Sequence, residues 1–280
     1  MENVNLATYA KNTWCLGCGN FAILNSIKAV LGVLIEEGFP KEKIVIVSGI
    51  GCHAKIADYL NVNSFYSLHG RVVPVCEAIK LANPELKVIG FAGDGDTYGE
   101  GLEHLIFAAK RNVDINIIIH NNRVYGLTTG QYTPTSPLGF KGRSTPGGTK
   151  EQPLNPLELM MASHASFIAR GYTHGIELLK KILKEALLHK GFSLVDVLQV
   201  CVTFFNMYDY YNSRVYELKD YDAGNYDEAL KKIKEWDYDS NSRIPLGVFY
   251  KKEKPVFEYA LNNKKTDIDA KIKELLNDYA

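Results

Sequence analysis

The chain has 280 residues, 46% of them apolar, enough for one large domain or two small ones around a sizeable core. Lysine plus arginine equals aspartate plus glutamate at 32 each, so no net field favours nucleic acid or an acidic membrane surface. No run approaches the roughly 18 uncharged apolar residues of a membrane helix, and the beginning of the chain carries no long apolar segment, which reads as a cytoplasmic protein. Five cysteines, an odd number, argue against a disulfide framework and towards metal or redox use.

In chain order, Trp14-Cys15-Leu16-Gly17-Cys18-Gly19 is a Cys-x-x-Cys with glycine beside each sulfur. A helix follows, with Leu24, Ile27, Leu31 and Leu34 on one face and Gly38 at its C-terminus, so the two sulfurs lie near a helix N-terminus, which favours thiolate. Residues 43–47 form a strand that runs into the glycine-rich turn holding Gly51, Cys52 and His53. A shorter strand over 64–68 ends in His69-Gly70-Arg71 before a helix over 72–81, where Cys76 reads as a small core residue.

Residues 86–92 are short, apolar and rich in Val, Ile and Phe, so they form a buried strand. It ends in Gly93-Asp94-Gly95-Asp96. There glycine permits a turn and a close ligand approach, while Asp94 projects a hard oxygen. The next helix carries Leu102, Leu105, Ile106 and Ala109, and its free N–H groups suit a phosphate; Glu100 and Glu103 are favourable charges in its first turn. Residues 115–119 form a second buried strand that delivers Asn121 and Asn122 to the same sheet edge as Asp94.

Residues 123–148 are rich in Gly, Thr, Ser and Pro and too long for a plain connector, a length that in compact domains often carries function. A short helix over 156–164, a strand over 166–169, an amphipathic helix over 175–189 and a final buried strand over 192–198 follow, the last bringing Cys201 to a strand end. Beyond 202 the composition turns aromatic and then charged and helical, a C-terminal extension packing on the core or on a partner. The expected fold is α/β, a doubly wound, mostly parallel sheet, over 1–203, with the extension over 204–280. His53, His104, His120, His164, His174 and His189 show no metal spacing and read as surface or capped core residues.

A carboxylate, an amide oxygen and a helix end converging on one point describe a site for a divalent cation bridging a pyrophosphate, since magnesium prefers hard oxygens. Cys15, Cys18, Cys52 and Cys201 all come from turns or strand ends, and four converging thiolates suit either zinc or an iron–sulfur cluster.

Gly93-Asp94-Gly95, with Asn122 lying 28 positions after Asp94, resembles the thiamin diphosphate motif. With the Trp-Cys-x-Gly-Cys-Gly segment, Gly-Ile-Gly-Cys, His-Gly-Arg, Tyr125-Gly126-Leu127-Thr128 and Cys201-Val202-Thr203-Phe204, residues 10–206 resemble the beta subunit of 2-oxoacid:ferredoxin oxidoreductases. The resemblance implies a sheet of the thiamin diphosphate-binding type and Mg2+ held by Asp94, Asn122 and the main-chain carbonyl of Val124. It implies a [4Fe-4S] cluster on the four cysteines, and cofactor contacts from Gly51, Cys52, Gly93, Gly95, Asp96, Gly126, Leu127 and Thr128. It makes His69 and Arg71 candidates for the diphosphate or a substrate carboxylate, Lys55 a candidate for a substrate carboxylate, and Leu127 a prop for the cofactor. Thr129 departs from the pattern, since many relatives carry lysine there.

The implied reaction is coenzyme A-dependent oxidative decarboxylation of a 2-oxoacid to acyl-CoA and CO2, with electrons passing singly through the cluster to ferredoxin. An alpha subunit would supply the pyrimidine-binding domain and its activating glutamate, so this chain alone should not turn over. Two other readings remain at this point: the diphosphate-binding subunit of a non-oxidative thiamin diphosphate lyase, which needs no four cysteines, and a structural metal-binding module, which does not need Asp94 and Asn122 both intact.

Overall fold

The computed structural model describes residues 5–261 and 268–278; the expected extension's residues 262–267, 279 and 280 lie outside them. Eight strands make one sheet: β1 (Ile44–Ser48), β2 (Asn63–Tyr66), β3 (Lys87–Gly93), β4 (Asn116–Asn121), β5 (Phe167–Tyr172), β6 (Ser193–Leu198), β7 (Val215–Glu217) and β8 (Ile244–Lys251). Their order is β2-β1-β3-β4-β6-β5-β8-β7, every neighbouring pair parallel except β5 with β8.

The helices that matter for the site are α1 (Asn20–Glu36), α2 (Ile56–Tyr59), α3 (Val72–Ala82), α4 (Leu102–Arg111), α5 (Pro156–Ala162), α6 (Ile176–Leu188), α7 (Tyr208–Asn212) and α8 (Tyr226–Ile233). Helices α1, α2 and α6 cover one face of the sheet, and α3, α4, α5 and α8 the other. The central strands are therefore buried on both sides, which is why they read as unbroken apolar runs rather than alternating ones. Within β4 the period of two persists: Ile118 packs into the first layer, Ile117 and Ile119 into the second. Each is fully buried and contributes about 2 kcal/mol of transfer free energy.

The chain steps outward from β1 to β2 and then returns across β1 to place β3 on its other side. That reversal opens a crevice beyond the C-terminal ends of β1 and β3, where ligands bind in doubly wound sheets.

Two expectations need correction. Residues 192–198 do not end the sheet: β8 pairs antiparallel with β5 and carries β7 on its far edge. The stretch beyond 202 is therefore not helical throughout, and Pro245 and Gly247 within β8 had hidden a strand from pattern reading. The strand expected at 64–68 is a four-residue edge strand, exposed along its length.

Candidate active site

The crevice is lined by the ends of β1, β3 and β4. Gly51, Cys52, Gly93, Asp94, Gly95, Asp96, Asn122, Val124, Gly126, Leu127, Thr128 and His69 all face it; so do His53 and Tyr125, which the sequence did not single out for the site. Asp94 ends β3 in helical geometry, and a π-helical turn over Gly95–Glu100 precedes α4, where the sequence suggested a simple turn. Gly93 and Gly95 both lie outside the left-handed region. Their small size serves packing instead: a Cβ on Gly95 would stand 2.2 Å from Cε1 of Tyr125, and one on Gly93 would stand 2.9 Å from Nδ1 of His53. The Tyr125 hydroxyl donates to the Gly95 carbonyl at 3.0 Å, so the tyrosine ring lies against this turn.

Asp94 is buried, and the Thr135 hydroxyl donates to its Oδ2 at 2.8 Å while standing 3.0 Å from Asn121 Oδ1. Burial pushes the Asp94 carboxyl up to about 6; the Thr133 and Thr135 hydroxyls pull it down, and the Asp196 charge adds to the rise. A buried carboxylate in that position gains from a cation in the crevice, which offsets its desolvation. Asn122 Oδ1 accepts from the Val124 N–H at 3.1 Å, which shapes the turn after β4. Asp96 Oδ1 accepts from the Gly70 N–H at 2.6 Å and lies 3.9 Å from His69 Nδ1; its Oδ2 lies 3.3 Å from His53 Nε2.

Arg71 and Lys55 fall elsewhere. Arg71 is exposed at the start of α3, its guanidinium donating to the carbonyls of Gly70 at 3.2 Å and Glu100 at 3.4 Å, and it does not line the crevice. Lys55 donates to Thr13 Oγ1 at 2.9 Å and lines the neighbouring cavity that holds the cysteines.

That second cavity receives Cys15, Cys18, Cys52 and Cys201 from three separate parts of the chain. The Cys18 N–H donates to the Cys15 carbonyl at 3.0 Å, Gly17 between them at φ +81 closing the turn. The Gly19 N–H reaches the Val200 carbonyl at 3.3 Å, and Trp14 Nε1 the Cys52 carbonyl at 2.6 Å, so all three segments are tied together. Burial pushes the Cys18 thiol up to about 12 against the Asn20 N–H, with the other three sulfurs adding to the rise. The helix-end effect expected from sequence is therefore present but outweighed. Burial likewise raises Cys52, opposed by the Lys55 charge. The Cys18 and Cys52 thiols, which burial holds in the neutral form, would ionise readily only beside a positive centre. Among the described residues no three Cys, His, Asp or Glu side chains are grouped to hold a single ion. Cys76 is fully buried in α3, as expected.

The two cavities share one wall, made of Cys52, Asn122, Gly126 and Leu127. A Cβ on Gly126 would lie 3.5 Å from Cys201 Sγ, 3.7 Å from Cys52 Sγ and 3.9 Å from Asn122 Nδ2. A side chain on Gly126 would therefore touch both the Cys52 and Cys201 sulfurs, which flank the turn after β4.

Below the crevice lies a buried polar network that sequence reasoning missed. Asp196 of β6, fully buried, accepts from Tyr98 at 2.9 Å, Tyr238 at 2.5 Å and Asn121 Nδ2 at 3.0 Å. Arg170 lies beneath it among Trp236, Tyr238 and Phe249, with ring distances of 5.0–5.2 Å. A lone buried aspartate in an apolar strand is the one signal that could have pointed to it.

The thiamine pyrophosphate enzyme C-terminal TPP-binding domain matches residues 49–197, and the C-terminal family of the pyruvate ferredoxin oxidoreductase beta chain matches residues 201–266. The chain is 42% identical over 256 residues to the 2-oxoacid:ferredoxin oxidoreductase subunit beta of Saccharolobus solfataricus, covering 86% of this chain and 82% of that one. This chain belongs to the beta subunits of the 2-oxoacid:ferredoxin oxidoreductases. It is also 41% identical over 191 residues to the 2-oxoglutarate synthase subunit KorB of Archaeoglobus fulgidus, covering 68% of this chain and 70% of the relative. A 2-oxoglutarate:ferredoxin oxidoreductase from Magnetococcus marinus, solved with 2-oxoglutarate, coenzyme A and succinyl-CoA bound, is similar in structure with a TM-score of 0.87 at 31% identity. The match covers 99% of this chain and 92% of that one. As a family member the chain is an oxidoreductase subunit with an α/β fold of the thiamin diphosphate-binding type. Among the described residues no helix is long and apolar enough to cross a membrane.

Proposed function

We propose that this beta subunit binds thiamin diphosphate through Mg2+ and, with an alpha subunit, carries out coenzyme A-dependent oxidative decarboxylation of a 2-oxoacid, passing electrons to ferredoxin. The observation that carries the reading is the shared wall: the buried carboxylate crevice and the four-thiol cavity meet at Cys52, Asn122, Gly126 and Leu127. A decarboxylase without redox chemistry has no use for four thiols against its cofactor cleft, so the oxidative reading is the one favoured.

Asp94, Asn122 and the Val124 carbonyl would hold the Mg2+, and the donor set fits: a buried carboxylate that forms no salt bridge among the described residues, beside an amide and a main-chain oxygen. Cys15, Cys18, Cys52 and Cys201 would hold a [4Fe-4S] cluster, and four sulfurs around one cavity fit that group. When bound, thiamin diphosphate supplies carbanion chemistry at the 2-oxo carbon, and the cluster supplies one-electron steps.

The chain's own residues position and insulate. Thr135 donates to Oδ2 of Asp94, and the Thr133 hydroxyl also bears on this carboxylate, so the two threonines hold it in place. Gly126 keeps the wall between the cavities one residue thin, and Leu127, half exposed, presents an apolar prop to both. His69, set against Tyr125 and Asp96, stands where it can meet a diphosphate or carboxylate oxygen. Lys55 brings its positive charge to the thiols, and Arg71 must leave its two carbonyl partners to reach an anion in the crevice. Gly51, Gly93, Gly95, Asp96 and Thr128 line the space for the cofactor. The partner subunit would complete the site with the pyrimidine-binding domain and its glutamate, in a cytoplasmic hetero-oligomer.

The test is anaerobic assay of the complex of this chain with its alpha subunit, following ferredoxin reduction with a panel of 2-oxoacids. Reduction that needs both a 2-oxoacid and coenzyme A, and is absent for the chain alone, is expected. Release of CO2 without any reduction would overturn the oxidative reading.

A further inference from the structure

Resting on the proposed Mg2+ site, we propose that Tyr238, from the segment beyond β6, is a positioning residue that holds both sides of the Asn121-Asn122-Arg123 turn in the geometry the cation requires. Two separate hydrogen-bond routes leave this one residue. Its hydroxyl donates to Asp196 Oδ2 at 2.5 Å, and Asp196 accepts from the Asn121 amide at 3.0 Å and 3.3 Å. That amide contact turns Asn121 so that its Oδ1 lies 3.0 Å from the Thr135 oxygen, and the single Thr135 hydroxyl proton is shared between it and Asp94 Oδ2 at 2.8 Å. The second route starts at the Tyr238 carbonyl, which accepts from the Arg123 guanidinium. Arg123 Nε also donates to the Thr135 carbonyl at 2.7 Å, and the Arg123 carbonyl accepts from Ser136 at 2.6 Å. The loop carrying Thr135 is therefore pinned to the turn carrying Asn122.

Local geometry shows why a clamp is needed. Arg123 sits at φ +61 and Tyr238 at φ +70, left-handed conformations that non-glycine residues hold only when their surroundings impose them. Arg123, Tyr238 and Asp196 are almost wholly buried, and the Arg123 guanidinium lies 5.7–5.9 Å from the rings of Phe205, Trp236 and Tyr238. The segment beyond β6 thus supplies the floor on which the cation ligands stand. Ligands of a magnesium site need near-ideal octahedral placement, so slack in their support appears as lost affinity.

The experiment measures Mg2+ binding at fixed thiamin diphosphate, by quenching of intrinsic fluorescence, on the anaerobic complex with the alpha subunit. Tyr238→Phe and Tyr98→Phe each delete one donor to Asp196. Tyr221→Phe deletes a comparable tyrosine hydrogen bond, to the Phe249 carbonyl at 2.7 Å, in the same segment but off both routes. The expected result is a rise of about tenfold in the Mg2+ requirement for Tyr238→Phe, a shift in the same direction for Tyr98→Phe, none for Tyr221→Phe, and iron content unchanged throughout. Wild-type Mg2+ affinity in Tyr238→Phe, or an equal loss in Tyr221→Phe, would overturn the positioning role while leaving the cofactor site intact. Absence of Mg2+-dependent binding in the unmutated complex would instead overturn the cofactor reading on which the role rests.

Discussion

Gly95→Ala tests whether the glycine after Asp94 serves side-chain packing rather than backbone freedom. Its backbone lies outside the left-handed region, so a methyl group carries no conformational penalty and returns about 0.5 kcal/mol by restricting the unfolded chain. Against that, the new Cβ would fall 2.2 Å from Cε1 and 2.4 Å from Cζ of Tyr125. Overpacking of this kind costs about 1–3 kcal/mol. Expelling the ring also breaks its hydrogen bond to the Gly95 carbonyl, worth about 1 kcal/mol. The net loss is about 2–3 kcal/mol. For 280 residues the unfolding entropy is about 0.6 kcal/mol per degree, so Tm should fall by about 3–5 °C. The assay is equilibrium urea unfolding of the full chain under reducing conditions, repeated in the Tyr125→Ala background. There the clash is gone, and Gly95→Ala should cost under about 0.5 kcal/mol, a coupling of about 2 kcal/mol. An unchanged cost in that background, or no cost in the parent chain, would refute the packing argument.

Asp94→Asn should weaken Mg2+-dependent thiamin diphosphate binding at least about 100-fold in titration calorimetry while leaving Tm unchanged or raised, because the ionised carboxylate is itself a burial cost in the cation-free chain. A large fall in Tm would show that Asp94 serves the fold first. His189 is held low, to about 4, by burial beside Ser166 and by the Lys251 charge. Its folded pKa lies below the unfolded value near 6.5, so the unfolded state takes the proton first. Stability is therefore full above about pH 6.5 and is lost as pH falls towards 4. Urea midpoints across that window should fall less steeply in His189→Gln, and equal slopes would remove His189 from the acid response.

The strands that carry Asp94 and Asn122 were legible because burial on both faces leaves an unmistakable apolar run, and the polar residues ending each run fell where the site is. The four cysteines were legible as a set because each sits beside glycine or at a strand end. What stayed hidden was contact across distance in sequence. The roles of Gly93 and Gly95 depend on His53 and Tyr125, which nothing local connects to them. His53 looked like any core histidine until β1 and β3 became neighbours and set it against Asp96. Strand β8 was concealed by its own proline and glycine, and with it went the link from Tyr238 to Asp196. The helix end near Cys15 and Cys18 pointed to ionised sulfur, but the sequence gives no measure of burial, and burial decides.

The central claim is that the cavity against the cofactor crevice holds a redox cluster, and the direct measurement is iron, sulfide and zinc content with EPR after dithionite reduction, done anaerobically. About four irons per chain, a reduced-cluster signal, and loss of both in Cys201→Ala but not in Cys76→Ala are the expected results. Zinc in place of iron, or iron unaffected by Cys201→Ala, would contradict the account and leave the non-oxidative use of the same crevice as the better description.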